Sequence, residues 1–245
     1  MENFKISKKR QMSDIISWAF LLFTLLILLF GFLPYAKAQA VPQFLVSWQA
    51  NSYVPVWYQG KIFPVKGSLV NISFELIDNG KIADLSKTKV RWYLNDNLVL
   101  NENNGLGIKQ YSFNTTNYSG QDIEVRIALF DYKGGSQIDK IIRIPVVSPE
   151  VVIDAPYEKN LIGAGKNLFI AYPFFFNIGD LSKLSFEWTA NEAVIYESEN
   201  TSRSDLELNI DSAAPKDFSI NLVIIIRNLF DEMQFARKNI QLKVK

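Results

Sequence analysis

The sequence predicts an all-β protein of two tandem antiparallel β-sandwich domains, preceded by an N-terminal hydrophobic helix. Three observations carry this. Beyond residue 40, apolar residues alternate with polar ones in short runs separated by turn clusters, the period of half-buried strands. Residues 15–33, IISWAFLLFTLLILLFGFL, form nineteen positions without a charge. Finally, Asp-Leu-Ser-Lys occurs at 84–87 and again at 180–183, each time followed by a Trp eight residues after the Asp and an Asn three later.

The leader comes first. Lys5, Lys8, Lys9 and Arg10 precede the apolar stretch; Gly31 near its end and Pro34 just after it break a helix, and Ala36-Lys37-Ala38 and Ala38-Gln39-Ala40 offer small-residue cleavage sites. A basic start, an apolar centre and Ala-x-Ala spell a secretory signal. Nineteen residues also suffice to span a bilayer, so the segment is equally long enough to remain as an anchor with its basic end in the cytoplasm. Residues 1–40 are therefore a signal peptide or membrane anchor, and both readings place the rest outside the cytoplasmic membrane.

Strands follow. Val70–Leu76, Ile123–Leu129 and Ile220–Ile224 alternate, and between such runs stand Asp78-Asn79-Gly80, Asn103-Asn104-Gly105 and Lys133-Gly134-Gly135-Ser136. Asn-Gly and Gly-Gly supply the positive φ that a hairpin reversal needs. The halves then align: Asp84, Lys87, Trp92, Asn95 and Val99 match Asp180, Lys183, Trp188, Asn191 and Ile195 at an offset of 96. Leu129-Phe130-Asp131 recurs as Leu229-Phe230-Asp231, and Ile142–Val146 corresponds to Ile240–Val244. Units of about a hundred residues, each with one Trp on a middle strand, predict immunoglobulin-like sandwiches with Trp92 and Trp188 as structural core. The first should cover residues 41–147 and the second 148–245, joined at Val147-Ser148-Pro149-Glu150. Strands are expected at 44–50, 68–77, 88–94, 97–100, 108–113, 122–131 and 138–146. In the second unit they are expected at 150–154, 167–176, 184–190, 193–197, 205–210, 219–228 and 235–244.

Composition removes whole classes of chemistry. The chain has no Cys and no His, which excludes Ser-His-Asp and Cys-His catalysis, zinc sites of the usual kind and any disulfide framework. Without the leader the charges are 21 basic against 23 acidic, too even for a nucleic-acid footprint.

Phe74-Glu75-Leu76-Ile77-Asp78-Asn79-Gly80-Lys81 and Trp92-Tyr93-Leu94-Asn95-Asp96-Asn97 resemble segments of polycystic-kidney-disease-type (PKD-like) and related Ig-like domains of bacterial exported surface proteins. The resemblance is clearest over residues 45–146 and weaker in the second unit, where Thr189-Ala190-Asn191-Glu192 replaces the Asp-rich turn. It implies a surface or structural role and carries no functional residues with it.

Candidate sites are few. Asn51–Lys61 is the most aromatic irregular segment, and Tyr53, Trp57 and Tyr58 form the candidate interaction surface for a protein or glycan. The plainer alternative is that they cover a sandwich end. Ala171–Phe176 puts aromatics on both faces of a strand, which calls for cover by the neighbouring domain or a partner chain, and Val223–Ile226 repeats that pattern; covered central strands explain both runs, and an assembly interface is the sharper alternative. Asp78, Asp84, Asn95, Asp96 and Asn97 carry oxygen ligands of the calcium kind, but their spacing matches no EF-hand, and Asx residues make turns for backbone reasons. No cofactor or metal is expected.

The expected function is a non-enzymatic, exported structural or interaction protein, secreted or anchored. The alternatives are a pilus- or envelope-subunit chaperone working through Ile138, Ile141, Ile142 and Ile144, and a carboxylate-based glycan hydrolase, for which no pair of acids stands out.

Overall fold

The computed structural model describes residues 41–135, 137–199 and 204–245, together with Trp18 and Leu21–Thr24. Pro42–Lys245 is one compact unit and Met1–Val41 another. The expected leader and its cleavage sites otherwise lie outside the described residues. Among those, no helix is long and apolar enough to cross a membrane.

Among the described residues, sixteen strands run along the larger unit. The first eight are β1 (Gln43–Ala50), β2 (Leu69–Asp78), β3 (Lys81–Ile82), β4 (Lys89–Leu94), β5 (Asn97–Leu100), β6 (Gln110–Asn114), β7 (Asp122–Phe130) and β8 (Ile138–Pro145). The others are β9 (Glu150–Asp154), β10 (Leu161–Ile162), β11 (Gly165–Phe174), β12 (Leu184–Ala190), β13 (Ala193–Glu199), β14 (Asp205–Ile210), β15 (Ser219–Asn228) and β16 (Asp231–Val244). In the first half, β1 and β6 flank β2, with β3 hairpinned onto its end, and a second sheet runs β5-β4-β7-β8. The second half repeats this as β14-β11-β9 against β10-β16-β15-β12-β13. All pairings are antiparallel except that of β10 with β16. Four strands against four in the first half and three against five in the second, each pair enclosing its own core, is a tandem Ig-like β-sandwich architecture.

Period-two burial explains each sandwich. On β2, Val70, Ile72, Phe74 and Leu76 point inward, and they meet Val90 and Trp92 of β4 and Ile123, Val125, Ile127 and Leu129 of β7. In the second, Phe169 and Ala171 of β11 meet Phe186, Trp188, Leu222, Ile224 and Ile226. Both indoles are 0% exposed. Trp92 Nε1 donates to the Ile108 carbonyl at 2.9 Å, whereas Trp188 Nε1 finds no acceptor among the described residues.

The hairpins explain the repeated Asn. Asn95 and Asp96 have φ of 46° and 64°, and Asn191 and Glu192 have 46° and 72°. Both Trp strands thus reverse through two left-handed residues, the geometry that suits strand twist, and after glycine Asn is among the residues that tolerate it most readily. In each copy the Asn side chain also accepts from the β7 or β15 backbone: Glu124 N–H onto Asn95 at 3.0 Å, Asn221 N–H onto Asn191 at 2.8 Å. Asn79-Gly80 turns β2 into β3 in the same way. Asn103-Asn104-Gly105 is not a hairpin. Asn101 caps a 3-10 turn at Glu102–Asn104 there, because β5 and β6 belong to opposite sheets and the chain must cross between them.

Glu102 meets Arg91 of β4, whose Nε and Nη2 donate to its two oxygens at 2.9 and 2.5 Å. The guanidinium holds this carboxyl down at about 2, against an ordinary 4.5. Since the folded value is the lower one, the contribution to stability is complete above about 4.5 and disappears as pH falls through about 2. Chemical denaturation between pH 5 and pH 2 should therefore show a shallower acid loss for Glu102→Gln than for wild type. Parallel curves would mean the pair adds nothing.

Candidate interaction site

The connection between β1 and β2 runs from Asn51 to Ser68 and holds all three candidate aromatics. It crosses to the second sandwich. Tyr53 N–H donates to the Phe176 carbonyl at 2.7 Å, and Phe175 N–H donates to the Tyr53 carbonyl at 2.7 Å. The two backbones thus form one antiparallel bridge. Burial raises the Tyr53 phenol above its ordinary value.

Aromatic edges follow from that bridge. Tyr58 meets Phe174 and Phe175 edge-on, with centroids 5.5 and 6.1 Å apart. Phe63 contacts Phe175 and, behind it, Trp48, each at 6.0 Å. Trp57 stands edge-on to Tyr172 at 5.3 Å and to Phe174 at 5.9 Å. T-shaped contacts of this kind add about 0.5–1.5 kcal/mol each beyond their area. Val65, Phe174 and Phe175 form the buried centre, and Val54 and Val147 pack against it.

Polar contacts fix the other side. Gln234 Nε2 donates to the Lys66 carbonyl at 3.1 Å, while its Oε1 accepts from Asn177 N–H at 2.8 Å. Gly67, at φ +84°, lies so near Asn177 that a Cβ would come within 2.8 Å of its amide nitrogen. Phe175 itself sits at φ 59°, an uncommon conformation for a bulky residue. It turns the chain out of β11 so that Phe174 and Phe175 face the junction while Phe176, 0% exposed, returns to the core.

So the double-sided aromatics at 171–176 divide: Tyr172, Phe174 and Phe175 are covered by the neighbouring sandwich's loop, and Phe176 by its own core. Tyr53 and Tyr58 are engaged in this joint. Trp57 remains 55% exposed and Val56 is 103% exposed, a crest standing on the joint. Val223–Ile226 lies on a covered central strand, as expected, with β12 on one side and β16 on the other. Ile224 and Ile226 point into the core, while Val223 is covered on the outer face between Thr189 and Asn239 of adjacent strands.

The oxygen-bearing side chains do not converge. Asp84 precedes β4 and Asn95 follows it, so the two groups lie at opposite ends of a six-residue strand, ~20 Å apart. Among the described residues no three metal-ligating acids cluster. Asp78 and Asp84 share a depression of about 460 Å³ with Tyr132 and Lys133. Lys133 and the Tyr132 hydroxyl hold Asp78 low, and the Ser86 backbone and hydroxyl hold Asp84 low. Two ionised carboxylates provide no general acid.

No protein-family model and no curated protein matches the chain. Among solved structures it resembles the three N-terminal domains of the bacteriophage RB49 highly immunogenic outer capsid protein, at 11% identity and TM-score 0.41, over 82% of this chain and 59% of that one. It also resembles an ICAM-5 D1–D4 ectodomain fragment, at 8% identity and TM-score 0.28, over 83% and 61%. A third is the Bacteroides ovatus mixed-linkage glucan utilization locus protein SGBP-B in complex with a mixed-linkage heptasaccharide, at 13% identity and TM-score 0.24, over 81% and 47%. The chain spans about half to three-fifths of the length of these structures.

Proposed function

We propose that the protein is an exported, non-enzymatic interaction module whose two sandwiches, residues 41–147 and 148–245, act together outside the cytoplasmic membrane. Residues 1–40 serve as its secretory signal or anchor. The partner is a protein or a glycan, met at the crest formed by Val56 and Trp57. One observation carries this reading: a half-exposed Trp on a loop whose base is bonded to a second domain. Such a ring presents apolar area with little conformational entropy left to lose on binding.

Protease treatment of intact cells, with and without permeabilisation, checks the location. Binding of the purified chain to immobilised envelope proteins and extracellular polysaccharides, compared with Trp57→Ala, checks the crest. A tenfold to hundredfold weaker signal is expected, in the range of interface hot spots. Equal binding by the variant removes the crest from the reading, and full protection in intact cells removes the location.

The strand-donating alternative has one observation in its favour: among the described residues, β8 pairs with β7 and with no other strand. Of its four isoleucines, however, only Ile141 is exposed, at 46%, and Ile144 is wholly buried. Asp139, Lys140 and Arg143 along the same strand are charges of the kind that block edge pairing.

A further inference from the structure

We propose that the outer face of strands β1, β2 and β6 binds a neutral polysaccharide chain, laid across Ser47, Gln49, Asn71, Ser73, Gln110 and Ser112. This rests on the interaction-module reading and adds to it a second surface with a ligand class of its own.

Alternation builds the face. Val70, Ile72, Phe74 and Leu76 of β2 fill the core, so Asn71, Ser73 and Glu75 point outward. Register places Gln49, Asn71 and Ser112 in one row across the three strands, and Ser47, Ser73 and Gln110 in the next. All but Ser73 are exposed. The Ser47 and Ser73 hydroxyls lie 3.1 Å apart, and Ser112 Oγ donates to Asn71 Oδ1 at 2.6 Å. The Asn71 amide nitrogen and the whole side-chain amides of Gln49 and Gln110 meet no partner among the described residues. Depressions of about 370 and 510 Å³ lie over the two rows and share Ser47, Ser73 and Gln110, so they form one trough.

Charge is missing here where other faces have it. On this side of the three strands the charged residue is Glu75, and Lys109 pairs it at 2.6 Å. The other sheet of the same sandwich turns Lys89, Arg91, Glu124, Arg126, Asp139 and Arg143 outward. The corresponding sheet of the second sandwich shows Leu168, Ile170 and the Lys166–Glu207 pair instead. Strands favour Thr, Val and Tyr and disfavour Asn, so Asn71 in the middle of a central strand works against the fold. A local choice that conflicts with its own element marks a functional surface.

What the face lacks and what it offers select the ligand. Without free cations it has nothing for nucleic acid or an acidic polysaccharide. Without an apolar centre it lacks the core of a protein interface, since Leu45 and Leu69 stand only at its margins. Side-chain amides and hydroxyls each donate and accept, as sugar hydroxyls do. An uncharged glycan is the complement of such a field.

Size and chemistry set the strength. Leu45 to Gln49 spans ~13 Å of strand and the three strands ~10 Å, room for a short run of sugar rings and not for one alone. The amides exchange water for sugar hydroxyls, so affinity is weak, on the order of 1 mM.

Amide chemical-shift titration of the full chain in sugar-free zwitterionic micelles tests this, with cellohexaose, maltohexaose and chitohexaose each taken to ~10 mM. At least one of them should move amides of residues 45–49, 71–75 and 108–112 saturably, whereas the anionic hyaluronan hexasaccharide should not. Gln49→Ala/Gln110→Ala should weaken binding at least tenfold with thermal melts unchanged, because neither side chain has an internal partner. Trp57→Ala should bind the sugar as wild type does. No response to any of the three sugars, an equal response to hyaluronan, or wild-type binding by the double variant each overturns the proposal. Shifts confined to residues 51–68, or loss of sugar binding in Trp57→Ala, would assign the sugar to the crest; this face then falls and the interaction-module reading stands.

Discussion

Trp92→Ala and Trp188→Ala should each cost about 3–5 kcal/mol, the loss expected when a large buried aromatic leaves a cavity behind. Domains of this size are stable by only ~5–15 kcal/mol, so either change should remove a large share of the stability of its sandwich. The two indoles differ in a way that alanine hides and phenylalanine reveals. Trp92 packs against Phe74 and Tyr111, at 5.6 and 6.1 Å, and hydrogen-bonds the Ile108 carbonyl. Trp92→Phe therefore loses both volume and a bond. Trp188 has no acceptor for its N–H among the described residues, so Trp188→Phe loses volume but also removes a buried unsatisfied donor. An unpaired buried donor costs about 1–3 kcal/mol, which offsets part of the lost packing. Urea unfolding should thus rank Trp92→Phe as the more damaging change by roughly 1 kcal/mol. Equal losses, or the reverse order, would mean that the Trp188 indole is satisfied in solution.

The strands were legible because their burial is local. A period of two needs only the neighbours in sequence, and Asn-Gly or Asn-Asp pairs mark reversals by their own backbone preference. The offset of 96 located both Trp strands because an indole at the centre of a sandwich tolerates little variation in what surrounds it. Elements that depend on distant partners left no such trace. β10 is two residues long and exists only because β16 lies alongside it, so no periodicity could reveal it. β16 begins at Asp231, four residues before the expected 235, because the β15 turn closes directly from Asn228 to Asp231. The candidate site shows the same division. The aromatic run at 171–176 declared that it needed cover, and Asn51–Lys61, without alternation, declared an irregular loop. That each covers the other joins residues more than a hundred positions apart. The residues that fix the pose, Gln234 and the left-handed Phe175, have no pattern in sequence at all.

That joint gives the second large effect. Phe174→Ala should cost about 3 kcal/mol, at the lower end for Phe because the ring is 7% exposed. The loss should be local in kind. Phe174 belongs to the junction cluster and not to the core around Trp188, so the second sandwich should keep its strands and its Trp fluorescence. Trp57 and Tyr58, however, lose the ring that both lean on. Hydrogen exchange should then accelerate by at least tenfold in residues 51–66, while amides of β12 and β15 exchange as before, since local opening free energies differ across a fold. Position 175 supplies the control. At φ 59° a glycine relieves backbone strain that an alanine retains, so Phe175→Gly should be less destabilising than Phe175→Ala by about 1 kcal/mol. Both should loosen the loop, because both remove the ring that Tyr58 and Phe63 contact. If binding depends on a fixed Trp57, partner affinity should fall in all three variants even though none alters the exposed crest. Unchanged affinity with a mobile loop would separate recognition from rigidity and leave Trp57 acting only through its own surface.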